Sequence, residues 1–186
     1  MICVMPVHVE PVEIVAGRLQ LRPFLARDAG GVYAACQDPE IQRWTTVPVP
    51  YGRHHASAYV ADNSFEGWSA GTGDSYAVTD ATTGELLGSV RLALGDDRVA
   101  EIGYWVTPVS RGQGVATEST LAVARWAFGA LAVARVEWLA EVGNHASRRV
   151  AEKAGFTVEG LLRDRLRMRD GSRADAWIAS LLPRDL

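Results

Sequence analysis

Polar and apolar side chains alternate from Arg18 to Phe24, and Pro23 near the end of that run marks it as an edge strand. Asp28 is placed to cap a short helix reaching Cys36, and Pro39 starts a turn or helix carrying Ile41 and Trp44. Pro48 and Pro50 make the stretch from Thr45 to Tyr51 a loop. A second helix is predicted from about His54 to Gly67, stopping before Gly71 and Gly73. Strand patterns then dominate. Ser75 to Thr79 and Glu85 to Leu94 flank the hairpin turn Ala81-Thr82-Thr83-Gly84. Gly95-Asp96-Asp97-Arg98 turns the chain into a third strand, Val99 to Val106.

Past Pro108 the period changes. Thr117, Leu121, Ala124 and Phe128 fall on one helical face, and Val136, Trp138, Ala140 and Val142 then alternate as a strand. Asn144 is placed to cap a helix with Ala146, Val150 and Ala154 on its apolar side and Gly155 as its stop. Two last strands, Phe156 to Met168 and Arg173 to Leu182, meet at Asp170-Gly171. The order βααβββαβαββ defines an α/β (α+β) fold: a mixed, mostly antiparallel sheet flanked by helices.

The length of 186 residues predicts one domain, spanning residues 17–186 behind an N-terminal extension of residues 1–16. With 48% hydrophobic and 22% charged residues, intrinsic disorder is excluded. The formal net charge of −3 gives no basic footprint for nucleic acid. Cys3 and Cys36 form neither a disulfide framework nor a metal spacing, so no metal is expected and a reducing cytoplasm fits. The first fifteen residues lack a basic n-region and do not read as a signal peptide. The most apolar window, Leu121 to Ala140, contains Arg125, Arg135 and Glu137, which argues against a membrane span.

Chemistry concentrates between the third strand of the meander and the following helix, at Ser110-Arg111-Gly112-Gln113-Gly114-Val115-Ala116-Thr117. Two glycines let the backbone approach a ligand, and a helix start offers unpaired N–H groups to a phosphate. A Gly-rich connection without a ligand is the plain alternative. A Walker A loop is disfavoured because this stretch has no lysine, and a dinucleotide fingerprint is disfavoured because Thr117 stands where Gly or Ala is wanted.

Arg111-x-x-Gly114-x-Ala116 resembles the acetyl-CoA pyrophosphate signature of the GNAT family of N-acetyltransferases. Arg18-Leu-Gln-Leu-Arg22, Glu101-Ile-Gly-Tyr-Trp105 and Asn144-His-Ala-Ser147 running on to Lys153-Ala-Gly155-Phe156 resemble its RimJ/RimL-like branch. The likeness covers roughly residues 17 to 183, in the family's order and spacing.

The resemblance implies an acetyl-CoA-dependent N-acetyltransferase acting on a primary amine, by direct attack in a ternary complex. Backbone N–H groups from Gly112 through Gln113, Gly114, Val115 and Ala116 to Thr117 would hold the pyrophosphate, with Arg111 adding charge. Trp105, Val106 and Thr107 would pair with the pantetheine arm where two strands splay, and the Val106 N–H would polarise the thioester carbonyl. Asn144 would bond the cofactor arm, and Ser147 matches the position proposed to protonate the leaving thiolate. The plain alternatives are a helix cap alone for Asn144, a small first-turn residue for Ser147 and core packing for Trp105.

Glu101 is the first choice for general base, against a salt-bridged strand residue. Leu166 stands where some RimL-like proteins carry a carboxylate, so that role is not carried over. His54, His55 and His145 are further candidates. Trp44, Tyr51, His54, His55, Tyr59 and Trp68 are candidates for the acceptor cleft, and Arg163, Arg165, Arg167 and Arg169 alternate as one strand face. The acceptor is expected to be a protein N-terminus or a small amine. No nucleic-acid or membrane partner is expected, and a homodimer is left open. The reading from another class is a non-catalytic CoA-binding sensor or regulatory module.

Overall fold

A computed structural model describes residues 11–71 and 73–186, so Cys3 lies outside the described residues. Eight strands form one sheet: β1 (Ile14–Ala16), β2 (Leu19–Arg22), β3 (Ser75–Asp80), β4 (Leu86–Leu94), β5 (Val99–Val106), β6 (Arg135–Glu141), β7 (Thr157–Arg167) and β8 (Arg173–Leu181). Six α-helices accompany them: α1 (Ala29–Ala35), α2 (Pro39–Trp44), α3 (Arg53–Asp62), α4 (Phe65–Ser69), α5 (Val115–Ala130) and α6 (His145–Lys153). The sheet order is β1-β2-β3-β4-β5-β6-β8-β7. Among the described residues, β5 and β6 are the one parallel pair, and every other neighbour is antiparallel.

The sheet is covered on both faces. Ala100 and Ile102 of β5 and Trp138 and Ala140 of β6 pack with Val115, Val123, Ala124 and Ala127 of α5 and Ala151 of α6. On the opposite face, Ala77 of β3 joins Val32, Ala35, Ala56 and Val60 of α1 and α3, with Trp105 packed at the margin. The two sides follow from the period-2 alternation of β5.

Four expectations need correction. The strand at residues 18–24 is not an edge. Gly17, at φ +57°, turns residues 14–16 back so that Ile14 faces Leu21, and β1 becomes the edge. The helix predicted from His54 to Gly67 is two helices. Asn63 breaks it by accepting from the Asp74 and Ser75 N–H groups, and Ser64 then caps α4 through the Gly67 N–H. A Cβ at Gly67 would stand 2.0 Å from the Asp62 carbonyl oxygen, so only glycine fits this junction.

The buried face of α5 is rotated from the predicted stripe. It centres on Val123, Ala124 and Ala127, with Leu121 and Phe128 at the flank, because small residues let the helix lie closest to the sheet. Finally, the arginines of β7 do not alternate on one face. Leu162 pairs with Ala176 and Leu166 with Ala174, so Arg163, Asp164 and Arg165 bulge opposite a single residue, with Asp164 at φ +49°.

Candidate active site

β5 and β6 pair only from Val99↔Arg135 to Ile102↔Trp138, and beyond that point they part. On its other side β5 stays paired with β4 as far as Gly88↔Val106. The Thr107 N–H donates to the Leu87 carbonyl at 2.9 Å. Backbone groups of an antiparallel strand alternate in direction. With Thr107 turned to β4, the Val106 N–H is turned to the gap between β5 and β6. A strand-edge donor thus stands at an opening that no neighbouring strand fills.

The chain then enters a short 3-10 turn at Pro108–Ser110, fastened by the Thr107 hydroxyl donating to Ser110 Oγ at 2.9 Å. Gly112 (φ +75°) and Gly114 (φ +83°) both adopt left-handed backbone before α5 begins at Val115. No side chain caps that helix start. The first N–H groups of α5 and those of the loop are therefore left for an anion, at the positive end of a sixteen-residue helix. Arg18 secures the loop by donating to the Gln113 carbonyl at 2.8 Å. Arg111 turns away from the loop and pairs with Asp38, the N-cap of α2. This guanidinium holds the Asp38 carboxyl below its usual range.

On the α6 side, Asn144 Oδ1 accepts from the Ser147 N–H at 3.1 Å, so the cap expected from sequence is present. Its Nδ2 carries no hydrogen bond among the described residues. Ser147 Oγ lies 2.9 Å from Tyr104 Oη and accepts from Trp138 Nε1 at 3.1 Å. Burial pushes the Tyr104 phenol up to about 12. Tyr104 and Trp138 escaped the sequence reading, because each looked like a strand residue facing the core.

Glu101 lies on the face of β5 that also carries Trp105, five residues or about 16 Å along the strand from Val106. Its carboxylate is 47% exposed and stands 4.0 Å from Arg91 Nη1. It does not reach the gap, so any base role for it has to run through water. Glu141 ends β6, three residues past the last one paired with β5. Arg43 of α2 grips both its oxygens at 2.7 Å and lowers its pKa.

The acceptor-side candidates divide. Tyr51 and Trp68 are buried core, the Tyr59 hydroxyl bonds Ser89 Oγ at 2.9 Å, and His55 Nδ1 accepts from the Gly52 N–H at the start of α3. His145 sits beside the Trp177 ring, 5.3 Å between centroids. Trp44 lies beside the β6–α6 turn, its Cη2 3.8 Å from where a Cβ on Gly143 would stand. Arg169, expected with the other three on one strand face, instead donates to the carbonyls of Gln42, Thr45 and Val47. It ties the tip of the β7–β8 hairpin to the end of α2. Burial pushes the Cys36 thiol up to about 11, away from the thiolate form a nucleophile needs. No His/Cys/Asp/Glu cluster suited to a metal occurs among the described residues, and none of their helices is long and apolar enough to cross a membrane.

A glycine-built anion loop, a helix start and a splayed parallel pair define the class, and comparison with known proteins agrees. The acetyltransferase (GNAT) domain profile matches residues 18–157, and the chain belongs to the GNAT family of acetyltransferases. YoaA, an uncharacterized N-acetyltransferase of Bacillus subtilis (strain 168), is 30% identical over 176 residues, covering 90% of this chain and 96% of YoaA. YdaF of the same organism, provisionally described as a ribosomal N-acetyltransferase, is 39% identical over 104 residues. That match spans 55% of this chain and little more than half, 56%, of YdaF. Among solved structures, RimL, a ribosomal L7/L12 alpha-N-protein acetyltransferase in complex with coenzyme A, superposes with a TM-score of 0.78. It shares 20% identity over 92% of this chain and 98% of RimL, a likeness of fold.

Proposed function

We propose that this acetyltransferase moves an acetyl group from acetyl-CoA to the primary amine of a protein N-terminus or a small molecule. The observation that carries this reading is the Val106 N–H turned into the β5–β6 gap, next to a loop whose glycines and helix start expose backbone donors. These residues fit the cofactor. The N–H groups of residues 112–117 suit a pyrophosphate, and Arg111 can leave Asp38 to add charge. Between Trp105 and Thr107, whose backbones face β4, Val106 presents its free edge to a pantetheine arm, and Asn144 Nδ2 is a spare donor on the α6 side.

Acetyl-CoA brings an already activated thioester, so no enzyme nucleophile is required. The chain's own part is positioning and electrostatics. The Val106 N–H faces the place where a carbonyl oxygen gains charge, and a buried donor aimed at such an oxygen contributes about 3 kcal/mol in comparable sites. Ser147 supplies a hydroxyl toward the departing sulfur. Glu101 takes the amine's proton only through ordered water, given its distance. The RimL and YdaF resemblances favour a protein amine as acceptor. A reducing, cytoplasmic setting suits the buried free thiol of Cys36.

Thermal unfolding with and without acetyl-CoA tests the cofactor half of the proposal. At 100 times its dissociation constant a ligand adds about 2.7 kcal/mol, a rise of roughly 5–10 °C for a chain this size. An amine panel, assayed by thiol release, tests the rest. Glu101→Gln should lower kcat while leaving acetyl-CoA binding intact. No thermal shift at millimolar acetyl-CoA would contradict the proposal.

A further inference from the structure

Three elements meet where β5 and β6 part. Trp138 is the last β6 residue paired with β5, Tyr104 is the next β5 residue on that face, and Ser147 comes down from the first turn of α6. Every polar group of Ser147 is engaged. Its N–H goes to Asn144, its carbonyl accepts from the Tyr104 hydroxyl at 3.0 Å, and its Oγ accepts from Trp138. We infer that Tyr104 and Trp138 are positioning residues that set the direction of the Ser147 hydroxyl proton. This inference rests on the acetyl-CoA reading above.

The argument is a count of protons. The Trp138 indole N–H can only donate, so one lone pair of Ser147 Oγ is always taken. A carbonyl can only accept, so the bond to the Ser147 carbonyl uses the single Tyr104 proton. In that arrangement Ser147 donates back to Tyr104 Oη, 2.9 Å away. The other arrangement turns the Tyr104 proton onto Ser147 Oγ. Both Oγ lone pairs are then occupied, and the Ser147 proton has no acceptor left in the protein. It points out of the network, as a donor for a sulfur in the gap. Two hydroxyl rotations interconvert the states, with no heavy atom moving. An oxygen that accepts two hydrogen bonds is also a stronger donor.

No covalent step is needed for this effect: the hydroxyl gives a hydrogen bond to the developing thiolate. A purely structural role is the competing account, in which the three residues only fasten α6 to the sheet. Trp138 is 2% exposed and packs in the core, so substituting it risks the fold. Tyr104→Phe keeps the ring and removes only the hydroxyl.

The test uses coenzyme A itself as probe and needs no acceptor. The thiol of bound coenzyme A is titrated by its thiolate absorbance in the wild type, Tyr104→Phe, Ser147→Ala and the double variant. Binding and unfolding temperature are followed alongside. A hydroxyl aimed at the sulfur lowers the bound thiol's pKa by about one unit, a tenfold gain in thiolate. Ser147→Ala should abolish that shift, and Tyr104→Phe, which leaves the Ser147 proton free but removes the second hydrogen bond its oxygen accepts, should remove about half of it. The double variant should match Ser147→Ala. Ser147→Thr, which keeps a hydroxyl, should restore part of it even if Tyr104→Phe fails to fold. A thiol that titrates alike in wild type and Ser147→Ala would overturn the inference. So would a Tyr104→Phe effect that persists undiminished when Ser147 is already Ala. Failure of coenzyme A to bind at all would instead remove the acetyl-CoA reading, and the inference with it.

Discussion

The glycine loop before α5, proposed for the cofactor, and the α2 side, proposed for the acceptor, are built by opposite means. The loop is local and made of backbone: Gly112 and Gly114 in left-handed conformation, then the open start of α5, all within a few residues. The α2 side is assembled over long sequence distances by arginine side chains. Arg43 reaches Glu141, Arg111 reaches Asp38, and Arg169 reaches the carbonyls closing α2. All three straps converge on α2, a helix of only six residues. The contrast suits the proposed reaction, in which one cofactor is used with a particular acceptor. Backbone geometry recognises what is common, and side-chain straps shape what is specific.

The largest way to break this contrast is at Gly114. A left-handed residue with a side chain costs about 1–2 kcal/mol, and a Cβ there stands 2.8 Å from Glu118 Oε1. Gly114→Val should weaken acetyl-CoA binding about 100-fold, read as loss of the thermal shift, with the fold intact by circular dichroism. Next comes Arg169→Ala, which frees the hairpin from α2. It should raise the acceptor KM about tenfold, or 1.4 kcal/mol, and leave acetyl-CoA affinity unchanged. Equal damage to both affinities would erase the distinction between the two sides.

Asp38→Asn probes the one strap that joins them. It frees Arg111 for phosphate, so acetyl-CoA affinity should rise about threefold by calorimetry, a fraction of a kcal/mol. Because Arg111 holds the Asp38 carboxyl below its usual range, that competition should not vary between pH 6 and 9.

The smallest effect lies away from both sites. Arg135 first, and then the Ser180 hydroxyl, hold Glu159 at about 2. A depressed carboxylate contributes stability that is fully present above its unfolded value of about 4.3 and is lost as pH falls toward 2. Glu159→Gln should therefore lower the unfolding temperature at pH 7 and converge with the wild type near pH 2. The catalytic parameters should stay as they are.

What was legible in the sequence follows the same division. The strands β3 to β6, α6 with its Asn144 cap and Gly155 stop, and the glycine loop all announce themselves through short-range pattern. The misses were tertiary. The β1 strand exists because β2 offers it an edge, and the α3–α4 break exists because Asn63 bonds Asp74 and Ser75. The β7 bulge turned an alternating arginine pattern into a kinked edge. The three α2 straps had no local signal, since each partner lies 73 or more residues away. Ser147 was visible through family resemblance, but Tyr104 and Trp138, which hold it, were not.

Amide hydrogen exchange with and without acetyl-CoA reads the proposed backbone donors themselves. Slowed exchange is expected at Val106 and across residues 112–117, with much smaller changes along α2. Unchanged exchange at Val106 and in the loop, under saturating acetyl-CoA, would contradict the proposal.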